Sequence, residues 1–323
     1  CGILVILILM TLNLRGVRES ATLFAVPTYF FIFSIVVLIG AGIFKVFAQS
    51  QSHLHVAGLS QNLEAVPLFL ILRAFSSGCS ALTGIEAISN GIPLFRKPEQ
   101  KNAKITLLWM SSILALFFIS ITFLAHEFHL VPKEGQTVVS LLSRSVFDTD
   151  GPYFMVQIST ALILILAANT SYADFPRLSS LLAVDRFLPR QLAMVGDRLV
   201  FSNGIIGLSF FAIYLIIHYQ GDTHLLIPLY AVGVFLSFTL SQLGMVVHHI
   251  RDREPGWRVG ILINSTGAFV TAIVLLVISW TKFTHGAWIV LLLLPFLVVM
   301  FKKINKHYCD LGAKLMLTDD HLN

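Results

Sequence analysis

Residues 73–95 read RAFSSGCSALTGIEAISNGIPLF, and they are the most informative segment of the chain for its fold. Its middle, SSGCSALTG, is small and polar although the surrounding sequence is apolar. Glycine costs about 1 kcal/mol relative to alanine in a helix, and serine hydroxyls compete for backbone hydrogen bonds. The stretch therefore predicts a discontinuous membrane helix. Carbonyl oxygens freed at such a break, here those of Gly78, Cys79 and Ser80, suit a dehydrated cation.

Two residues just past the predicted break, Thr83 and Glu86, supply groups that ion transport needs. They are three positions apart, which places them on the same face of a helix. Thr83 offers a hydroxyl oxygen, and Glu86 offers either a negative charge or a protonation site. Burial favours the protonated carboxyl group whereas a nearby cation favours the carboxylate, so a binding cation can displace the proton. A carboxyl group whose protonation depends on ion binding can couple the two, and we predict proton-coupled symport.

The same residues also have a purely structural interpretation. Small residues within a membrane helix often only allow neighbouring helices to pack closely. A single glutamate within the membrane can likewise be a neutral, hydrogen-bonded packing residue. We favour a functional site because a helix breaker, a hydroxyl group and a carboxylate occur together in this one stretch.

The composition of the whole chain places it in a lipid bilayer. Of its 323 residues, 56% are hydrophobic and only 12% are charged, and the mean hydropathy is +0.82. Soluble domains carry about 25% charged residues, so a water-soluble globule is excluded. The long continuous apolar runs also exclude an outer-membrane β-barrel, whose strands alternate. The sequence therefore predicts an all-α polytopic membrane protein.

Apolar runs of about 20 residues give the positions of the membrane helices. After a truncated span at 1–13, we predict complete spans at 22–46, 65–91, 105–125, 153–183, 204–219, 225–248, 258–281 and 286–301. Lys and Arg residues cluster in every second connection and in the C-terminal tail. Because excess basic residues mark cytoplasmic loops, these connections and the C-terminus are predicted to be cytoplasmic. The net charge of +5 has the same origin and does not indicate nucleic-acid binding.

The two ends of the sequence indicate a piece of a longer protein. Residue 1 lies within an apolar run, and the polar segment 302–323 stops abruptly. That segment is either a short juxtamembrane helix that touches anionic lipid or the beginning of a cytosolic domain, and we favour the domain. The predicted organisation is a truncated helix at 1–13, transmembrane helices over 14–301 and a cytosolic segment at 302–323.

Enzyme and cofactor chemistry find no support in the sequence. The three cysteines, Cys1, Cys79 and Cys309, are far apart and lack the spacing of disulfide or metal sites. The sequence contains no phosphate-binding loop and no nucleophile elbow. We predict neither an enzyme activity nor a bound cofactor.

Two further spans carry polar residues whose role is open. Asp174 and Arg177 are three positions apart near the inner end of the fourth complete span, so they either neutralise each other or take part in transport. Pro176 between them is expected to kink or open the helix. Tyr230 lies one or two turns into the sixth complete span, where it either belongs to the interfacial aromatic belt or gates or ligates an ion.

Three segments make the chain resemble the amino acid–polyamine–organocation superfamily. They read NLRGVRES (13–20), SALTGIEAISNGIPLFRKPEQKNAKIT (80–106) and AANTSYADFPRLSSLLAVDRFLPRQ (167–191). The last two resemble especially the KimA-type potassium importers of the KUP group. The resemblance implies a LeuT-like inverted-repeat transporter of twelve helices. It implies that residues 1–13 belong to helix 4 of the family, that the complete spans are its helices 5–12, and that the N-terminal part of the fold is missing from this chain.

The resemblance also implies a function, potassium uptake driven by the proton gradient across the bacterial inner membrane. The family's ion site includes a threonine and a glutamate of its helix 6 and a tyrosine of its helix 10. These correspond to Thr83, Glu86 and Tyr230, with Glu86 as the proton-coupling residue. Family members are homodimers whose cytosolic domains bind cyclic di-AMP. A proton-coupled amino-acid permease is the alternative function, because such permeases share the break followed by Gly-x-Glu, and a non-transporting membrane sensor is the third.

Overall fold

The computed structural model describes residues 2–16, 21–50, 67–79, 84–131, 135–194, 196, 201–253, 256–283 and 286–319. Its helices are α1 (Gly2–Leu14), α2 (Ala21–Ser50), α3 (Leu68–Cys79), α4 (Ile85–Asn90), α5 (Glu99–Glu127), α6 (Val138–Val146), α7 (Asp150–Val184), α8 (Ser202–His218), α9 (Thr223–Asp252), α10 (Trp257–Thr281) and α11 (Ala287–Asp319). Short 3₁₀ turns at Ile92–Leu94 and Arg190–Leu192 follow α4 and α7. The described residues contain no β-strand.

Six of the described helices, namely α2, α5, α7, α9, α10 and α11, are long and apolar enough to cross a membrane. The helices α1, α3 and α8 are apolar but shorter. Every predicted span overlaps a described helix, so the prediction of an all-α polytopic membrane protein is confirmed. Two predicted spans differ from the described helices. The span predicted at 65–91 is divided between α3 and α4, and the span predicted at 204–219 is the 17-residue helix α8.

The helix α6 lies between two predicted spans and is too short to cross a bilayer. Thr137 caps it, because its side chain accepts a hydrogen bond from the backbone N–H of Ser140 at 3.2 Å. One face of the helix, with Leu142, Ser143 and Val146, is buried. A helix of nine residues with one buried face is not detected by a search for apolar runs of about 20 residues.

The chain forms two compact units, each with its own core. The first unit comprises residues 1–7, 62–84 and 176–323. Its core is formed on α9, α10 and α11 by Ala231, Val232, Phe235, Val274, Ile278, Ala287 and Val290. The second unit comprises residues 8–61 and 85–175. Its core is formed on α2, α5, α6 and α7 by Ile35, Leu38, Leu124, Leu142, Val146 and Val156.

Large apolar side chains are also exposed on both units, for example Phe44 in the second and Trp280 in the first. Lipid tails are as apolar as leucine, so these side chains need no protein partner in a bilayer. Hydrogen bonds between helices add to the packing within each unit. Asn13 on α1 donates from Nδ2 to Oδ1 of Asn169 on α7 at 2.8 Å. Such bonds are worth about 0.6 to 2 kcal/mol within a membrane.

The helix α7 is continuous through Pro176, where the sequence predicts a kink or an opening. The proline lies against α8. A Cβ atom added at Gly204 would lie 2.9 Å from Cβ and 3.0 Å from Cα of Pro176. Gly204 therefore allows α7 and α8 to approach closely, because any larger residue would overlap the proline ring.

We expect Gly204→Ala to lower the free energy of unfolding by about 1 to 3 kcal/mol, the usual cost of overpacking a close contact. The measurement is thermal unfolding of the purified protein in detergent. Gly207→Ala is the matched control, since Gly207 lies on the same helix and a Cβ atom there would meet nothing within 4 Å. Equal unfolding midpoints for the two variants would contradict the assigned contact.

The helix α11 extends to Asp319, well past residue 301 where the last span was predicted to end. Hydropathy falls after Phe301, but residues such as Lys, Leu and Ala are good helix formers, so the helix continues into the polar segment. The boundary predicted at residue 302 is therefore a change in composition and not the end of a helix.

Candidate functional site

The helix predicted to be discontinuous is divided into two helices. α3 ends at Cys79, α4 begins at Ile85, and Gly84 before it has a φ angle of +93°. An α-helix cannot pass through that backbone conformation, which is accessible to glycine and strained for other residues. Ser80 and Thr83, two of the predicted ion-binding residues, lie outside the described residues.

Gly78 and Cys79, the other predicted backbone ligands, form the C-terminal end of α3. The last four carbonyl groups of a helix have no partner within it, so the end of α3 presents acceptors. Cys79 is half-buried and packs against the core of the first unit formed by α9, α10 and α11. This part of the first unit packs mainly against α10. The helix α9, which carries Tyr230, contributes other residues of the same core.

A cavity of about 310 Å³ lies beside this end of α3 within the first unit. It is lined by Ser76, Ser77, Ile227, Pro228, Ala231, Ile278 and Lys282. The hydroxyl group of Ser76 donates a hydrogen bond to the backbone carbonyl of Arg73 at 2.9 Å. Its oxygen also lies 3.2 Å from the hydroxyl oxygen of Thr281 on α10. Both hydroxyl groups are buried, and their hydrogen bond links α3 to α10 beside the cavity.

Lys282, directly after α10, is a polar residue of this cavity that the sequence did not single out. Burial, and to a lesser extent the positive charge of Arg73, lowers the pKa of the Lys282 ammonium group below its ordinary value. The described residues include no hydrogen-bond or ion-pair partner for this ammonium group. The sequence contained a signal for this residue, because Lys282 is the only Lys or Arg in the connection between the spans predicted at 258–281 and 286–301.

Tyr230 lies on α9, two residues after Pro228, and is 40% exposed. It is not among the described residues that line the cavity, although its neighbour Ala231 is. Glu86 belongs to the second unit, where it lies in the first turn of α4 and is half-buried. Acidic residues are favoured in the first turn of any helix, so this position has a structural explanation beside the functional one.

The comparison with known proteins supports the interpretation of the chain as part of a membrane transporter. Residues 1–301 match the model of the family described as amino acid permease. The chain is also 46% identical over 319 residues to the potassium transporter KimA of Bacillus subtilis (strain 168), an alignment that covers 98% of this chain and 52% of that protein. The chain therefore spans about half the length of the curated relative it matches. With its apolar helices and matched sequence, the chain belongs to the amino acid permease family, a family of transporters and not of enzymes.

Proposed function

We propose that the whole protein takes up potassium ions by proton-coupled symport. The observation that carries this proposal is the 46% identity to the Bacillus subtilis potassium transporter KimA over 98% of the chain. The interruption between α3 and α4 supports it, because a broken membrane helix exposes backbone carbonyls to which a dehydrated cation can bind.

The proposed ion site combines side-chain and backbone oxygens. The hydroxyl groups of Thr83 and Tyr230 and the carboxyl group of Glu86 replace water molecules around the ion. Carbonyl oxygens of Gly78, Cys79 and Ser80 at the break complete the shell. These are the oxygen ligands that hard, weakly polarisable cations prefer.

Glu86 is the proposed coupling residue. Its carboxyl group carries the proton while the potassium ion is bound, because a protonated carboxyl group still offers its C=O oxygen to the ion. Ion and proton are then carried together and released on the same side, so a single residue links their movements. The direction of transport then follows the proton gradient.

The test uses the full-length protein in liposomes that contain a pH-sensitive dye. External potassium is expected to drive proton movement together with rubidium-86 uptake, and a proton uncoupler is expected to reduce that uptake. Uptake that is insensitive to the proton gradient would overturn the coupling. No potassium or rubidium flux at all, in a preparation shown to be folded, would overturn the proposal itself.

A proton-coupled amino-acid permease is the second candidate function, and the family match favours it because that family is described as amino acid permease. The two candidates separate in one assay. Uptake of radiolabelled amino acids that does not depend on potassium would support the permease. Potassium flux without amino-acid uptake would support the first proposal.

The remaining features of the proposal concern the whole protein in the cell. It lies in the cell membrane with its C-terminus in the cytoplasm, because the basic residues segregate to alternate connections and to the tail. It forms a homodimer, and a cytosolic region beyond this chain binds cyclic di-AMP, as the resemblance to KimA-type importers implies. Cysteine accessibility on either side of the membrane, cross-linking and nucleotide titration of the full-length protein test the three statements separately.

Lys282 provides a prediction that depends on the cavity being part of the potassium pathway. Two unit charges about 8 Å apart repel each other by about 2 kcal/mol at an effective dielectric constant of about 20, and salt reduces this value. We therefore expect Lys282→Gln in the full-length protein to lower the KM for potassium about threefold to tenfold. Lys282→Arg keeps the charge and is expected to leave KM unchanged. The same KM in both variants would place the cavity outside the pathway.

A further inference from the structure

The helix α11 carries basic residues immediately after its apolar part. Lys302, Lys303 and Lys306 follow Phe301, and all three lysines are exposed. A helix rises 1.5 Å per residue, so these positions lie about 1.5 to 7.5 Å beyond Phe301 along the axis. The headgroup layer on each side of a bilayer is about 5 to 8 Å thick. With the end of the apolar run at Phe301 taken as the edge of the hydrocarbon core, the three lysines lie at the level of the lipid phosphate groups.

The connection that follows α7 lies against the same part of α11. The side-chain amide of Asn305 donates from Nδ2 to the backbone carbonyl of Asp185 at 3.2 Å. The guanidinium carbon of Arg190 lies 5.2 Å from the centroid of the Tyr308 ring, a cation–π contact. Asn305 and Tyr308 are three positions apart and share one face of α11, which is therefore the face that meets the connection.

Arg186 extends this basic surface further along the helix. Its Nη1 atom lies 3.9 Å from the position that a Cβ atom would take at Gly312. The connection therefore brings two guanidinium groups to α11 within two helical turns beyond Lys306. We call this surface the tail patch, and it consists of Arg186, Arg190, Lys302, Lys303 and Lys306.

No residue of the tail patch forms an ion pair within the described part of the chain, where the ion pairs involve other residues. The acidic residues beside the patch, Asp185 and Asp310, are both exposed and are outnumbered by its five basic residues. The patch therefore keeps an excess of positive charge at the boundary between the apolar part of α11 and water. Each basic residue at such a boundary strengthens binding to an anionic bilayer about fivefold.

We propose that the tail patch binds the phosphate group of an anionic phospholipid. Lys302 and Lys306 lie one helical turn apart, beside the face that contacts the connection after α7. A lipid phosphate held by these lysines and by Arg190 links α11 to that connection. Charge complementarity and the depth of the lysines both select a lipid as the occupant, because lipid phosphates are concentrated at that level of the bilayer.

The test compares lipids around the full-length protein in nanodiscs. Phosphatidylglycerol is titrated into phosphatidylcholine, and bound lipid is measured by native mass spectrometry. We expect the double variant Lys302→Gln, Lys306→Gln to bind phosphatidylglycerol at least tenfold more weakly than the unmodified protein. The matched control is Lys101→Gln, Lys104→Gln, which removes the same charge from two exposed lysines of α5. Lys101 and Lys104 also lie at a membrane boundary, so the control is expected to weaken binding, but about threefold less than the tail-patch variant does.

Three outcomes would overturn the proposal. Equal losses in the two double variants would mean that only net charge matters. Equal occupancy by glycerol phosphate, added to phosphatidylcholine nanodiscs, would mean that a soluble phosphate is bound and not a lipid. If the amount of lipid bound to the unmodified protein does not rise with the fraction of phosphatidylglycerol, another partner, such as an acidic protein segment, covers the patch. Lys302→Arg, Lys306→Arg is expected to retain lipid binding, which separates lost charge from misfolding.

Discussion

Glu86→Gln in the full-length protein is expected to reduce potassium uptake about 10-fold to 100-fold while the protein still folds. Glutamine keeps the shape of the side chain but has no charge and no exchangeable carboxyl proton. Interactions of a charged group of this kind are worth about 1.5 to 3 kcal/mol, which corresponds to that range. Any remaining uptake is expected to lose its dependence on the proton gradient. The measurement is rubidium-86 uptake into liposomes at several values of the pH gradient.

Glu99→Gln is the matched control for this experiment. Glu99 lies in the first turn of α5, as Glu86 lies in the first turn of α4, so both acids interact with a helix N-terminus. If the role of Glu86 is structural, the two substitutions will have similar small effects on stability and on uptake. If Glu86 couples protons to ions, only its substitution will abolish the dependence on pH. Wild-type uptake by Glu86→Gln would rule out the proposed coupling.

Gly84→Ala has the second largest expected effect, because it acts on the backbone at the break itself. The φ angle of +93° at Gly84 is strained for alanine, although a Cβ atom there would meet nothing within 4 Å. The cost is therefore conformational and amounts to about 1 to 2 kcal/mol. To avoid it the backbone directly before α4 has to change its conformation, and Glu86, two residues further on, is expected to shift with it. We expect a lower unfolding temperature together with a loss of most uptake.

The matched control is Gly233→Ala on α9. A Cβ atom at Gly233 also meets nothing within 4 Å, but this glycine lies within a helix. Alanine favours a helix over glycine by about 1 kcal/mol, so the control is expected to keep or raise the unfolding temperature. Thermal unfolding and rubidium uptake of both variants provide the comparison. Similar behaviour of the two alanine variants would show that the conformation of Gly84 is not needed.

The positions of the membrane helices were largely predictable, because hydropathy depends on residues close together in the chain. The interruption of the span at 65–91 was predictable for the same reason, since the small polar residues that cause it are contiguous. The ends of helices were less predictable. α11 continues past Phe301 because hydropathy and helix propensity change at different places along the sequence.

The candidate site was predictable only in part. The residues of α3 and α4 were identified from local chemistry, and the assignment of Thr83, Glu86 and Tyr230 to ion binding stays a prediction. Lys282 was missed, because it is distant in sequence from Ser76 and its role depends on which helices meet around the cavity. A lysine at the end of an apolar span is usually interpreted as an interfacial residue.

The amino-acid sequence alone indicated a helical membrane protein with an interrupted helix. It also showed that basic residues are concentrated in alternate connections and in the tail. Hydropathy, charge asymmetry and helix breaking are properties of neighbouring residues, so no fold is needed to detect them. The packing of the helices was needed to show that Pro176 meets Gly204, that Lys282 reaches the cavity beside Ser76 and that Arg190 lies over Tyr308. These contacts depend on the rotation and register of packed helices, which side-chain shape sets and which hydropathy does not encode.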